Sequence, residues 1–365
     1  MRVLHIIARM NVGGTATYIA NLIHGLEKLG VGNLLVMGNV SKGEAEDSVI
    51  NTLKYHRIDT LCRELSFTKD RKARKEIEKV IVSFKPDLIH THTFKAGFLV
   101  RLKKRRIPVI HSFHGHHLYD PEFGFLKRNV LNIIERFLAP RAERFVTIGK
   151  RVRDELLAVG IGRAEQYLTI APGIAPLALA DEAGVRKRFG WGQEENLVLW
   201  LGRFTEVKRP DRAIEIARLL PKIRFVMAGG GELLDKVKMN APSNVTFVGF
   251  QDKSEMWSIA DIALCTSDSE GMPLSLIEAQ MAGVAVVSTD VGSVSEILED
   301  GITGYLASKE SADLVAKIEK VLLDLESGAK MGKAAKLRAE REFSSSVMAD
   351  AHFGLYRKVL DKVAR

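Results

Sequence analysis

Glu270 and Glu278 stand with seven residues between them in TSDSEGMPLSLIEAQMAG, residues 266–283. Pro273 suits the first turn of a helix and Gly283 suits its end. Glu270 is then expected in the loop ahead of the helix and Glu278 about one turn inside it, both projecting toward the same end. The chain from Gly271 through Met272, Pro273 and Leu274 to Ser275 forms that helix start, and its unpaired N–H groups from Met272 onward make an anion site. Further upstream, GRFTEVKRPD at 202–211 places Gly202, Arg203 and Lys208 in a loop. A guanidinium and an ammonium together suit a diphosphate, although a plain solvated basic loop has the same composition. Carboxylates pair well with vicinal hydroxyls. The combination describes a nucleoside diphosphate sugar, with Glu278 on the ribose and Glu270 on the sugar hydroxyls.

The first half carries a second group of candidates. Gly13 and Gly14 in RMNVGGTATYI follow an aliphatic run, where a backbone without Cβ atoms approaches a ligand closely or simply turns. The pattern is not the dinucleotide signature G-x-G-x-x-G. Six of the ten histidines fall between 90 and 117: His90, His92, His111, His114, His116 and His117. Histidine is a common zinc ligand, but no cysteine or acid cluster completes a set, and no metal is expected. His114 lies just beyond a strand end, where catalytic groups are sought in α/β sheets. A neutral imidazole there donates or accepts a hydrogen bond without adding charge.

These residues need strands and helices to hold them. Short β-branched runs alternate with amphipathic ones in both halves, the signature of parallel sheets with helical crossovers. Strands are expected at 3–7, 34–37, 88–92, 109–113 and 144–148, then at 197–201, 224–228, 245–249, 262–265 and 285–289. The expected fold class is α/β with two doubly wound domains, 1–175 and 185–343. The stretch APGIAPLALADEAG at 171–184 reads as a linker. A final helix over 344–365, opened by serines, is expected to pack back toward the first domain.

A chain of 365 residues with 46% hydrophobic residues has material for two cores, and no compositional bias toward disorder is present. Isolated Cys62 and Cys265 suggest neither a disulfide framework nor a zinc site. The N-terminus does not read as a signal peptide, and no run approaches the roughly 18 to 20 apolar residues of a membrane span. The expected location is the cytoplasm, with the inner face of the cell membrane as an option. Residues 1–180 hold 29 Lys and Arg against 17 Asp and Glu, so that half carries a charge of +12 while the whole chain carries +9. Such asymmetry points to an anionic partner. The basic runs at 71–79 and 101–106 contribute most, and LYDPEFGFLKRNVLNIIERFLAPR at 118–141 alternates apolar residues with cations. That stretch either lies on an anionic bilayer or packs on the sheet as an ordinary amphipathic helix.

GRFTEVK, SDSEGMPLSLIEA and the following AGVAVVSTDVGSVSEILEDGITGYL resemble the signature of the retaining glycosyltransferases of family four, which have the GT-B fold. The resemblance implies two facing Rossmann-like domains with the active site in the cleft between them, the nucleotide sugar held mainly by the C-terminal one. It implies that the Gly13–Gly14 loop closes over the donor phosphate and that His114 meets the donor sugar near its hydroxymethyl group. His116 and His117 are then candidate acceptor contacts, and Arg203, Lys208, Glu270 and His114 form the catalytic set. A hexose or N-acetylhexosamine, from a UDP donor in preference to GDP, would pass to a hydroxyl acceptor, soluble or lipid-linked, in cell-surface polysaccharide or glycolipid synthesis. No divalent metal and no cofactor are implied, and the oligomeric state is left open. The chain departs from the pattern after AVVSTD, where VGSVSE stands in place of paired glycines. Alternatives are a sugar-nucleotide epimerase of the same architecture, and a non-catalytic binder of anionic membrane or nucleic acid. No recognised nucleic-acid motif accompanies the charge.

Overall fold

The aliphatic runs expected as strands are strands, and each lies parallel to its neighbours. The computed structural model describes residues 1–115 and 124–363. By its internal contacts the chain divides into two units, Met1–Ala175 with Ser345–Arg365, and Pro176–Ser344. The first unit holds β1 (Arg2–Ile6), β2 (Gly32–Met37), β3 (Tyr55–Arg57), β4 (Leu88–His92), β5 (Val109–Phe113), β6 (Arg144–Thr147) and β7 (Tyr167–Thr169), in the order β3-β2-β1-β4-β5-β6-β7. The second holds β8 (Leu197–Leu201), β9 (Arg224–Ala228), β10 (Val245–Gly249), β11 (Ile262–Cys265), β12 (Ala285–Thr289) and β13 (Gly304–Ala307), in the order β10-β9-β8-β11-β12-β13.

Three strands escaped the sequence reading: β3, β7 and β13. Each ends its sheet and has only three or four residues. An edge strand buries little on its open side, so its hydrophobic pattern is faint.

In each unit the strand order reverses once, between β1 and β4 and between β8 and β11. Crossovers leave these strand pairs in opposite directions, which opens a crevice beyond their carboxyl ends. The loops after β1 and β4, and after β8 and β11, therefore frame the two places where a ligand can enter. Helices cover both faces of the second sheet, and two apolar clusters result, one around Trp200, Phe204 and Ile318, the other around Leu199, Trp257 and Val286. In the first unit Leu4, Ile6, Ile77 and Leu99 pack into one such cluster.

The final helix, Ser345–Val363, belongs to the first unit and lies against the helix Gly14–Lys28. Its start is tied down where the Ser345 N–H donates to the Ile174 carbonyl at 2.9 Å. Two expectations need correcting. The end of the stretch read as linker is helical, because Asp181 accepts from the Gly184 N–H and caps the helix Glu182–Phe189. Pro273 precedes the helix Leu274–Ala282 as its cap residue and is not in the first turn, its ψ of 116° being extended.

Candidate functional site

In the second unit the loops after β8 and β11 are stitched together before any ligand is considered. The indole N–H of Trp200 on β8 donates to Thr266 Oγ1 at 2.9 Å, and that hydroxyl is shared between the carbonyls of Lys208 and Arg209 at 3.0 and 2.9 Å. The Asp268 N–H donates to the Val207 carbonyl at 2.8 Å, and the Asp268 carboxylate takes Arg209 at 3.1 Å and Arg212 at 2.9 Å. These cations lower the Asp268 pKa although burial opposes them. Arg209 itself stands in the left-handed region at φ 51°, a conformation that costs a non-glycine residue on the order of 1 kcal/mol and that its ion pairs hold in place.

On this platform the two glutamates are set alike. The Lys208 ammonium and the Ser267 hydroxyl both donate to Glu270 Oε1, each at 2.5 Å. The Lys253 ammonium donates to Glu278 Oε1 at 2.6 Å. In both cases one carboxylate oxygen is occupied. Glu278 Oε2 is buried with no partner among the described residues, an arrangement that costs about 1–3 kcal/mol unless a donor arrives. Thr205 Oγ1 and Ser293 Oγ are orphaned in the same way in the neighbouring loops. Arg203 is exposed beside them. Met272 and Leu274 bury their side chains, so what Gly271 to Ser275 can offer a ligand is backbone, chiefly the N–H groups of Leu274 and Ser275 that open the helix. Of the expected residues, Lys208 and Glu270 are brought into contact; Gly202 follows β8, Gly271 to Glu278 follow β11, and Glu278 meets Lys253 beyond β10.

The departure VGSVSE is accommodated by one glycine. Gly292 has φ +56°, and a Cβ there would fall 1.6 Å from the Glu270 carbonyl oxygen. The next residue, Ser293, donates its N–H to the Gly271 carbonyl at 2.9 Å. The loop after β12 thus fixes the backbone of Glu270 and Gly271, through the close approach of Gly292 to the first and the Ser293 N–H bonded to the second.

In the first unit Gly13 follows β1 and caps the helix Gly14–Lys28 with φ 151°, a backbone that side-chain-bearing residues rarely adopt. His114 lies one residue past β5, half-buried, with the Tyr18 ring edge-on at 4.5 Å. Its Nε2 meets His92 Nδ1 at 3.1 Å. Burial, and secondarily His352, push the His114 pKa down to about 3, so the ring is neutral. His116 and His117 lie outside the described residues.

The crowded histidines are core residues with partners. His90 is bonded to Tyr356 and Ser112, each at 2.6 Å, and His111 to Thr91 at 2.9 Å. Burial drives the pKa of His90, His92 and His111 well below the usual value. Among the described residues His5, His90 and His92 each bring one nitrogen within 4.8 Å of the others. All six of their ring nitrogens are engaged in hydrogen bonds, so a metal would have to displace them.

Sequence reading missed Lys253, Ser267 and His5. Lys253 follows the end of β10, and the rule that ligands gather after strands pointed there; Ser267 and His5 carried no local signal.

Comparison with known proteins decides the family. Residues 13–173 match the model described as a glycosyl transferase 4-like domain, and residues 181–338 match that described as glycosyl transferases group 1. The chain is a glycosyltransferase of the GT4 type. This glycosyltransferase is 26% identical over 312 residues to EpsD of Bacillus subtilis, covering 79% of its own chain and 80% of the relative. It is also 26% identical over 297 residues to the UDP-Gal:alpha-D-GlcNAc-diphosphoundecaprenol alpha-1,3-galactosyltransferase of Escherichia coli, covering 74% and 75% of the two chains. The fold is GT-B: sucrose-phosphate synthase from Thermosynechococcus elongatus superposes with a TM-score of 0.86 at 19% identity over 99% of this chain and 100% of that one. Anabaena HepE in complex with UDP and glucose gives 0.83 at 17% identity over 98% and 100%.

Proposed function

We propose that this glycosyltransferase moves a hexose or N-acetylhexosamine from a nucleoside diphosphate sugar, UDP in preference to GDP, to a hydroxyl acceptor with retention at the anomeric carbon, in cell-surface polysaccharide or glycolipid synthesis. The observation that carries the reading is the matched pair of lysine-bound glutamates, each bonded through Oε1, with the Glu278 Oε2 orphan waiting for a donor. A ribose hydroxyl satisfies Glu278, and sugar hydroxyls satisfy Glu270. Arg203, Lys208 and the helix start take the diphosphate, with Gly202 giving backbone access. The UDP in HepE and in the name of the E. coli relative supports the choice of base.

In the reaction the bond from the anomeric carbon to the diphosphate breaks and one to the acceptor oxygen forms on the same face. The acceptor proton passes to the departing phosphate oxygen. No enzyme nucleophile is needed, and the protein supplies position and charge. The test of the site is calorimetry with UDP: Glu278→Ala is expected to weaken binding about tenfold or more, the loss of a charge-assisted hydrogen bond of about 1.5–3 kcal/mol. Equal affinities would remove Glu278 from the ribose.

Fixed cations do the work that metal ions do at other phosphate sites, so we propose that catalysis needs no divalent metal. Turnover is expected to persist in excess chelator; complete loss restored by magnesium contradicts this.

The acceptor reading, lipid-linked rather than soluble, draws support from the helix Phe125–Leu138. Leu131, Glu135 and Leu138 are buried, as expected of a helix packed on its unit. A second stripe faces outward: Leu126, Val130, Ile133 and Phe137 are 78%, 47%, 63% and 64% exposed at helical spacing. Apolar residues flanked by Lys127, Arg128 and Arg136 in the basic half fit the surface of an anionic bilayer. Among the described residues no helix is long and apolar enough to cross a membrane. Flotation with phosphatidylglycerol vesicles is expected to carry the wild type and to lose the Ile133→Glu, Phe137→Glu double variant. Equal flotation of both would detach this helix from the membrane.

A further inference from the structure

We infer that Asn33, His5 and His92 are positioning residues that hold His114 in a single tautomer, with hydrogen on Nε2 and the Nδ1 lone pair left to accept. They form a chain of hydrogen bonds whose direction is decided at the end farthest from His114.

That end is the Val31 carbonyl, which can only accept. The Asn33 side chain meets it at 3.0 Å through Nδ2. Turning the amide over would set its carbonyl oxygen against the Val31 oxygen, so the orientation is determined by the backbone. Asn33 Oδ1 then faces His5 Nε2 at 3.2 Å and needs a hydrogen from it. His5 is fully buried and its pKa is lowered to about 3, first by burial, so the ring is neutral and has one N–H, which Asn33 takes. His5 Nδ1 is therefore bare and accepts from His92 Nε2 at 3.2 Å. His92, buried and neutral, has spent its hydrogen in turn, and its Nδ1 accepts from His114 Nε2 at 3.1 Å. Reversing any one bond alone would set two lone pairs or two hydrogens face to face among buried groups.

The two ends of this chain lie on different strands, and the sheet order brings them into line. Asn33 sits on β2, His5 on β1 and His92 at the end of β4, three adjacent strands, and His114 follows β5, the next one. A separate arm holds the His114 ring plane. Tyr18 stands edge-on at 4.5 Å; its hydroxyl donates to His352 Nε2 at 3.1 Å, and His352 Nδ1 donates to the Met348 carbonyl at 2.9 Å. That polarity too is set by a backbone carbonyl.

The consequence rests on the proposed glycosyl transfer: His114 meets the donor sugar as an acceptor, taking a hydrogen from a hydroxyl instead of giving one to an oxygen lone pair. Nitrogen NMR on histidine-labelled protein reads the tautomer directly, with His114→Gln identifying the resonance. The expected wild-type spectrum shows His114 protonated at Nε2 and bare at Nδ1; hydrogen on Nδ1 would overturn the inference, the variant serving only to assign the signal. In Asn33→Leu the polarity anchor is gone, and His114 is expected to show both tautomers; an unchanged spectrum would remove Asn33 from the role. The same variant is expected to lower turnover about tenfold, as loss of ring-orienting partners does at metal-bound histidines, with UDP affinity unchanged. Unaltered turnover with an altered tautomer would end the catalytic half of the inference. Should the wild type transfer from no nucleotide sugar at all, the proposed function fails while the tautomer result stands.

Discussion

Lys208→Ala is expected to lower glycosyl transfer by about 10²–10³-fold, the loss that follows removal of one donor aimed at developing charge. Two effects add at this residue. In the proposed reaction the ammonium stabilises the diphosphate as its bond to the sugar breaks; in the structure it also neutralises Glu270, whose Oε1 it meets at 2.5 Å. Without Lys208 the Glu270 carboxylate, 8% exposed, keeps on that oxygen the Ser267 hydroxyl and the weak Cys265 thiol at 3.8 Å, neither of which carries a charge, and in the proposed site it repels the departing phosphate. Glu270→Ala is expected to reduce turnover by a similar factor while leaving UDP affinity within about twofold, since its proposed partner is the sugar and not the nucleotide. Steady-state kinetics with calorimetry separates the two. If Lys208→Ala retained wild-type turnover, the cation would belong to the loop and not to the reaction.

The largest effect on stability is expected at Glu135. Its carboxylate and the Arg101 guanidinium are both fully buried, and a single guanidinium nitrogen reaches both carboxylate oxygens at 2.9 and 2.8 Å. Arg101 Nε also donates to the Gly97 carbonyl at 3.0 Å, while its remaining nitrogen, Nη1, has no hydrogen-bond partner among the described residues. Burial outweighs the attraction of Arg101 and pushes the Glu135 pKa up, the mark of a pair assembled at a net desolvation cost. Glu135→Ala strands the buried guanidinium and is expected to cost about 3–5 kcal/mol, on the order of 10 °C in melting temperature at a few degrees per kcal/mol. Glu135→Leu combined with Arg101→Met is expected to be less damaging than Glu135→Ala, because no charge is left behind. Calorimetric melting of the three proteins decides, and a single variant as stable as the wild type would refute the cost assigned to the buried charge. Because Glu135 lies on the helix Phe125–Leu138, the pair also anchors the outward apolar stripe to its unit.

That pair shows how a sequence reading of charge goes astray. Arg101 opens the run RLKKRR, which reads as exposed cations facing an anionic partner. In the fold it is fully buried, and Arg105 of the same run pairs with Glu78. Lys79 of the earlier run pairs with Glu76. Net charge is additive along the chain, but which cations remain available depends on acids brought near by helices 67–84 and 125–138.

Much of the fold was legible because it rests on neighbours in sequence. The ten aliphatic runs are short enough and β-branched enough to make strands, and glycine and proline mark where the chain turns. The spacing of Glu270 and Glu278, with a helix start between them, was readable for the same reason: helical periodicity places both at one end from local geometry alone. What could not be read were partnerships across strand order. His5 lies 87 positions from His92 and Lys208 lies 62 from Glu270, and nothing near either residue announces the other. Only the reversal of order between β1 and β4 and between β8 and β11 sets these groups in contact. The types of residue and the local backbone were determined by the sequence through short-range sterics and periodicity. Which oxygen each lysine occupies, and which nitrogen of His114 is left bare, was decided by tertiary structure, because hydrogen-bond polarity is a property of a whole buried chain of donors and acceptors.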